Sequence, residues 1–312
     1  MTAISDAVAA LRRGELVGMP TETVYGLAAD ARNPAAIARI FALKGRPAEH
    51  PVIVHLSSAE QMRAWAKDIP EHAWQLAKQF WPGPMTLILH KQRGVLDLIT
   101  GGQDSVGLRV PNHPMALKLL AQFDDGLAAP SANRFGHISP TTAQHVRDEF
   151  GAQLDIILDG GAAQIGIESS IIDARTSELR ILRPGAITAE QIMHLAGAVA
   201  PIPALARTRV SGALKSHYAP RTRTELRDRL EIETLADAAC RQATLVLSIA
   251  TLPASCDGIA LSADPAEYSH ALYAALRALD ARNAAQILIE RPPQTPAWTA
   301  VWDRISRACA SI

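Results

Sequence analysis

The chain is organised around Lys44-Gly45-Arg46-Pro47, which reads as a helix stop leading into a strand. Upstream, Pro34 to Leu43 reads as a helix: Asn33 suits the N-cap, Pro34 the first helical position, and Ile37, Ile40 and Phe41 share one face. Gly45 and Pro47 end it, and His50-Pro51 leads into the strand-like run Val52-Ile53-Val54-His55-Leu56. Two cations are thus held on a stiff turn, with a histidine closing the strand beyond, a reasonable way to hold an anion. Read alone, the stretch is ordinary stop chemistry, since Lys and Arg complement the dipole at a helix C-terminus. Its meaning depends on what surrounds it.

The neighbouring segments alternate between short strands and helices. Residues 4–13 read as a helix, 15–19 as a strand, and Pro20-Thr21-Glu22-Thr23 as a polar turn. Helices are expected over 58–66 and 71–80, and strands over 85–90 and 105–110. Alternation in the latter puts Ser105, Gly107 and Arg109 on one face and Val106, Leu108 and Val110 on the other. An arginine leaving an otherwise buried strand pairs as a rule with a carboxylate, of the protein or of a ligand. Asn112 is expected to cap a helix through Leu120. Leu127–Ala129 is a strand opening into the small-residue loop Pro130-Ser131-Ala132-Asn133, which continues through Gly136, Ser139 and Pro140 to a helix over 141–150. Strand, small-residue loop and helix start is a general geometry for holding phosphate, although neither a Walker loop nor a dinucleotide glycine fingerprint occurs. Strands at 154–158, 169–173 and 179–182 and a helix over 188–195 complete this region. The pattern predicts an α/β fold with a twisted, mixed parallel and antiparallel sheet packed by helices.

The texture changes near Ala200. Pro201 and Pro203 open a basic segment carrying Arg207, Arg209 and Lys215, which ends at His217-Tyr218-Ala219-Pro220. Beyond it, a strand at 243–249, a helix over 267–282, a strand at 286–290 and a helix over 296–310 suggest a small Rossmann-like α/β domain.

Composition excludes several classes. The formal net charge is zero, which argues against strong direct nucleic-acid binding. Every hydrophobic run is interrupted by charge or proline, so no membrane association and a cytoplasmic location are expected. Cys240, Cys256 and Cys309 are widely spaced and the ten histidines scattered, without the spacing of a protein-held metal site.

Several motifs occur together and in order: Pro20-Thr-Glu-Thr-Val-Tyr-Gly-Leu, Lys44-Gly-Arg-Pro, His50-Pro-Val-Ile-Val-His, Val106-Gly-Leu-Arg-Val-Pro, Ala129-Pro-Ser-Ala-Asn, Ser139-Pro-Thr, Glu168-Ser-Ser-Ile-Ile-Asp and Ile181-Leu-Arg-Pro-Gly. The series, over roughly residues 4–198, resembles the threonylcarbamoyl-AMP synthase family, built on a YrdC-like domain; the His-Tyr-Ala-Pro segment and tail resemble its longer, two-domain branch. The resemblance implies a YrdC-like catalytic domain over 1–199, a basic proline-bearing linker over 200–223 and a small Rossmann-like C-terminal domain over 224–312. It implies that L-threonine, bicarbonate (or CO2) and ATP, with Mg²⁺ on the ATP, give threonylcarbamoyl-AMP and pyrophosphate. Partner proteins then transfer the threonylcarbamoyl group to tRNA. By the same resemblance, Thr23, His55, Arg109, Ser169 and the backbone near Ala129 hold threonine. Arg46, His50, Ser105, Ser131, Asn133, Ser139, Arg183 and Tyr218 face the nucleotide, with Lys44 and Arg46 the catalytic cations. His50 departs from the family pattern, in which asparagine is common.

The chemistry suits these residue types. A threonine carbamate is already an anionic nucleophile, and the obstacle is repulsion between it, the threonine carboxylate and the triphosphate. Lys44, Arg46, Arg109 and Arg183 oppose that charge. Two alternatives remain at this stage: a double-stranded RNA-binding or ribosome-assembly module reading shape with a basic face, and a carbamoyltransferase of the hydrogenase-maturation type. Zero net charge weighs against the first, and scattered cysteines cannot supply the zinc sites of the second.

Overall fold

The computed structural model describes residues 3–196, 199–200, 208–212, 216–239 and 243–310; Pro201, Pro203, Arg207, Lys215 and Cys240 lie outside the described residues. The chain divides into two units. The first comprises Met1–Phe135, Pro140–Gln164 and Glu168–Ala213, the second Gly136–Ser139, Ile165–Ile167 and Leu214–Ile312.

In the first unit the elements are α1 (Ala3–Arg12), β1 (Val17–Met19), β2 (Gly26–Asp30), α2 (Pro34–Lys44), β3 (Ile53–His55), α3 (Met62–Trp65), α4 (Glu71–Phe80), β4 (Met85–His90), α5 (Asp97–Thr100) and β5 (Ser105–Arg109). There follow α6 (Pro114–Phe123), β6 (Leu127–Ala128), α7 (Ala143–Phe150), β7 (Ile156–Ile157), β8 (Ser170–Asp173), β9 (Leu179–Arg183), α8 (Ala189–Ala196) and β10 (Val199–Ala200). The strands form one mixed sheet in the order β10-β9-β8-β4-β5-β3-β6-β2-β1-β7. β3 runs parallel to β5 and β4 to β8, whereas β4–β5, β3–β6, β2–β6 and β8–β9 are antiparallel.

Local chemistry sets the boundaries. The Asn33 side chain accepts from the amides of Ala35 and Ala36, Pro34 takes the first turn, and Gly45 at φ 62 closes α2 in the left-handed conformation. α6 differs from expectation. Its cap is His113, whose Nδ1 accepts from Met115 N at 3.2 Å; Asn112 is not the cap, because Pro114 at the first helical position fixes the cap just before itself. The single helix expected over 58–66 is a 3₁₀ turn at Ala59–Gln61 followed by the short α3.

The two faces of this sheet are dressed differently. Val54, Leu87, Leu89, Val106, Leu108, Ala128 and Ile172 point into the main core, against Ile37, Ile40 and Phe41 of α2, Trp65 of α3, Leu76 of α4 and Val146 of α7. On the other face Leu127 and Ala129 pack with α1 and α6, while Ile88, Ile171 and Leu182 pack with Val210. Between those two apolar patches the face carries polar residues.

The second unit holds β11 (Thr224–Arg227), α9 (Arg229–Ala239), β12 (Thr244–Ile249), β13 (Gly258–Leu261), α10 (Pro265–Asp280), β14 (Gln286–Glu290) and α11 (Thr299–Ala308). Its sheet, β11-β14-β12-β13, is wholly parallel, as a Rossmann-like domain requires. Asp264 caps α10, which buries Tyr268, Leu272, Leu276 and Leu279. Among the described residues no helix is long and apolar enough to cross a membrane.

Leu108 is fully buried at the centre of the first sheet. Leu108→Ala is expected to cost about 2–5 kcal/mol, the range for an aliphatic-to-alanine cavity, measured as a lowered urea midpoint for the first unit's transition.

Candidate active site

The site grows out of β5. Register sets Ile53 beside Gly107 and His55 beside Arg109 across β3, and Ile88 beside Gly107 across β4. Ser105, Gly107 and Arg109 therefore share the polar face with His55, as the alternation predicts. At Gly107 the face is closely packed by its neighbours: a Cβ there would sit 3.2 Å from Ile88 Cδ1 and 3.5 Å from Ile53 Cγ1.

Arg109 is buried, and its partners come from distant segments. Its Nε donates to Gly83 O at 3.2 Å and its Nη1 to Thr23 Oγ1 at 2.9 Å, while Nη2 lies 2.7 Å from Glu22 Oε1. The protein thus supplies the carboxylate expected for this arginine. The Thr21–Val24 turn is locked by a hydroxyl: Thr21 Oγ1 donates to Val24 O at 2.6 Å and accepts from the amides of Thr23 and Val24. Thr21 Oγ1 is also 2.9 Å from Thr23 Oγ1. Since the Thr21 proton is committed to Val24, Thr23 donates in that pair. His55 is buried beside this cluster; burial first, and the Arg109 charge second, lower its pKa from 6.5 to about 3, so the ring is neutral at physiological pH.

Next along the same face, Arg183 at the end of β9 donates from Nε to Ser169 O at 3.1 Å and from Nη2 to Ser169 O and Oγ at 2.9 and 3.1 Å. Ser169 Oγ is in turn 2.8 Å from Thr86 Oγ1. The approach is close because of Gly185, where a Cβ would fall 2.4 Å from Ser170 N. Arg183 Nη1 donates to Ser211 O at 2.9 Å, and Arg46 Nη2 donates to Ser211 Oγ at 3.3 Å and to Pro51 O at 2.8 Å. One residue of the 208–212 segment therefore joins two of the arginines singled out by the sequence.

The Lys44 turn forms the remaining wall. Lys44 is buried, and its Nζ donates to Ser131 O at 2.6 Å and to Asn133 O. Burial, then the neighbouring Arg46 charge, lower its pKa well below 10.5. Phe135 N donates to Lys44 O at 2.7 Å, which brings the Phe135 ring 5.8 Å from the Arg46 guanidinium and 5.4 Å, edge-on, from His50. The pKa of His50 is lowered by burial and then by Arg46. Ala129 N donates to Ile53 O at 3.1 Å, and the 129–132 loop lies against Gly26, where a Cβ would be 3.1 Å from that of Ala129.

Most residues named from sequence thus converge on the first unit: Thr23 with Arg109, Arg109 beside His55, Ser169 with Arg183, Lys44 with Ser131 and Asn133, and Arg46 near His50 through Phe135. Ser105 stands buried at the start of β5. Ser139 and Tyr218 belong to the second unit. There Tyr218 is buried, its ring 5.6 Å from Tyr273 with the Arg304 guanidinium 5.3 Å away, and Arg277 Nε donates to Ser139 O at 3.4 Å. Glu22, Thr86, Phe135 and Ser211 were not among the sequence candidates. Glu22 had a signal, a carboxylate inside the Pro20-Thr-Glu-Thr motif; Ser211 had none.

The site is of the anion-holding kind, with arginines and hydroxyls as its principal groups. Comparison with known proteins makes it specific. Residues 9–185 match the Sua5/YciO/YrdC family described as "Telomere recombination", and residues 187–310 match "Threonylcarbamoyl-AMP synthase, C-terminal domain". The threonylcarbamoyl-AMP synthase of Pyrococcus abyssi is 39% identical over 96% of this chain and 91% of that protein. That of Bacillus subtilis is 41% identical over 70% of this chain and 64% of that protein. The crystal structure of P. abyssi Sua5 complexed with L-threonine superposes with a TM-score of 0.92 at 38% identity, covering 98% of this chain and 94% of that one. The chain belongs to the threonylcarbamoyl-AMP synthase family. It is accordingly an enzyme of tRNA modification, and an RNA-binding module is not favoured.

His55 makes folding pH-dependent. Its folded pKa lies near 3 against 6.5 ordinarily, so below pH 6.5 the unfolded chain takes up a proton the folded protein refuses. Stability from this group is complete above that pH and falls by about 1.4 kcal/mol per pH unit as pH drops. His55→Gln should flatten the decline in Tm between about pH 6 and 4, the window of this linkage; an unchanged slope would remove His55 as its source.

Proposed function

We propose that the polar face of the first unit condenses L-threonine, bicarbonate (or CO2) and ATP into threonylcarbamoyl-AMP and pyrophosphate, in the cytoplasm, for transfer to tRNA by partner proteins. The observation that carries this is the gathering of Arg109 and Arg183 of the sheet with Arg46 of the turn after α2. Arg109 is set on Thr23 and Glu22 at one position, and Arg183 and Arg46 are joined through Ser211 at another. In this reading Arg109, Thr23, His55, Ser169 and the Ala129 backbone take threonine. Arg46, His50, Ser105, Ser131, Asn133, Ser139, Arg183 and Tyr218 take the nucleotide. The proposed organisation is a catalytic domain over 1–199, a linker over 200–223 and a small Rossmann-like C-terminal domain over 224–312.

The carbamate oxygen of threonine attacks the α-phosphorus, the bond to the bridging oxygen of pyrophosphate breaks, and the electron pair leaves with pyrophosphate. No strong base is needed, because the nucleophile is already an anion. Fixed guanidinium donors offset the gathered negative charge without reorganising, and the pocket holds the reacting atoms in line. Neutral His55 suits a hydrogen-bonding role towards threonine, since a second cation beside Arg109 is disfavoured there. Lys44 serves from behind, its ammonium fastening the Ser131–Asn133 loop. Among the described residues no trio of His, Cys, Asp or Glu is placed to hold a metal ion. Mg²⁺ arriving with ATP would be held chiefly by the nucleotide's own phosphate oxygens and water.

Pyrophosphate release should require both L-threonine and bicarbonate, with threonylcarbamoyl-AMP seen by mass analysis; release indifferent to threonine refutes the assignment. Arg46→Ala should lower turnover about 10–100-fold, the worth of a charge-assisted hydrogen bond, in a protein that remains folded. A variant that melts early yet keeps full specific activity would return that turn to a purely structural role.

A further inference from the structure

The turn carrying Thr23 also buries Glu22, and the mechanism above gives that carboxylate no task. Glu22 is 2% exposed. Its charge is matched by Arg109 Nη2 at 2.7 Å, but neither carboxylate oxygen receives a hydrogen bond among the described residues. Buried carboxylates are rarely left so, since unmet acceptors carry a full desolvation cost. The nearby hydroxyls cannot serve: Arg109 Nη1 donates to Thr23, Thr23 to Thr21, and Thr21 to Val24 O, so both threonine protons are committed. Nor is the pair a good stabilising device, because desolvating both ions offsets much of their attraction, and an apolar pair of similar volume commonly does as well.

We propose that Glu22 accepts the ammonium group of the substrate amino acid, so that the Arg109–Glu22 pair recognises a zwitterion rather than a simple carboxylate. This rests on the threonine reading of the pocket given above. An α-amino acid carries its ammonium and carboxylate on one carbon; here the complementary charges stand 2.7 Å apart on adjoining elements. Of the five N–H of a guanidinium, one on Nε and one on Nη1 are bound by Gly83 O and Thr23, and the others remain for a ligand carboxylate shared with Glu22. With Glu22 ionised the pair is neutral overall. A ligand bearing only a carboxylate meets repulsion from Glu22, whereas a zwitterion has both of its charges matched. The substrate thus enters as free threonine.

The test is calorimetric binding to the full-length protein of L-threonine and of 2,3-dihydroxybutanoate, which replaces the ammonium by a hydroxyl. The wild-type protein is expected to favour threonine by at least about tenfold, and Glu22→Gln to lose about tenfold or more in threonine affinity with the preference between the two ligands abolished, as for a charge-assisted hydrogen bond. Equal binding of the two ligands by the wild type, which needs no variant to fold, overturns the proposal. So does unchanged threonine affinity in a Glu22→Gln protein that still binds ATP. Failure of the wild type to bind threonine at all, with ATP binding intact, is a different pattern and removes the threonine reading together with this one.

Discussion

A guanidinium cannot shed its charge, so burying Arg109 at the end of β5 obliges the chain to bring counter-charge and acceptors to it. It does so from the Thr21–Val24 turn and the backbone at Gly83, with strand β3 paired alongside. Each of these segments is itself fixed, the turn by the Thr21 hydroxyl and β3 by pairing with both β5 and β6. Arg109 is therefore the tie between segments that meet only when folded, and in the function proposed above it is also the cation that faces the ligand. Burial first, and the same charge second, keep His55 neutral.

The sheet explains why these groups can be polar at all. One face is filled by helices and has no room for chemistry. The other is covered in two patches, by α1 and α6 near Leu127 and by Val210 near Ile88 and Ile171. The interval between the patches holds Arg109 and His55. Fixed donors lining such an interval are oriented before a ligand arrives, which is the arrangement that favours transfer between anions.

Much of this was legible in the sequence. The two-residue alternation of Ser105-Val-Gly-Leu-Arg gave the polar face, and Asn33-Pro34 with Gly45 marked both ends of α2. The Rossmann-like tail followed from its strand–helix–strand order, although β11, α9 and β13 went unread because they carry little periodic signal. β2 was also missed: Gly26-Leu-Ala-Ala-Asp lacks the β-branched residues that identify a strand, and its strand character comes from pairing with β1 and β6. What could not be read was tertiary. A turn rich in Thr and Glu reads as solvated until Arg109, far along the chain, is placed against it. Likewise nothing in the basic segment distinguished Ser211, which matters through its contacts with Arg46 and Arg183.

The Lys44-Gly45-Arg46-Pro47 turn shows why structural and functional readings need not compete. Gly45 in the left-handed conformation ends α2 and sends the flanking cations to different partners. The lysine goes to loop carbonyls, where hydrogen bonding persists even as burial disfavours its charge. The arginine, permanently charged, is held by Pro51 O and Ser211 beside the Phe135 ring. An amine that can lose its proton is suited to fastening a loop, and a planar cation that cannot is suited to phosphate. The order Lys-Gly-Arg is therefore not interchangeable with its reverse. Reversal would put the group whose charge is easily lost at the anion and force a permanent charge into the closed space behind the Ser131–Asn133 loop.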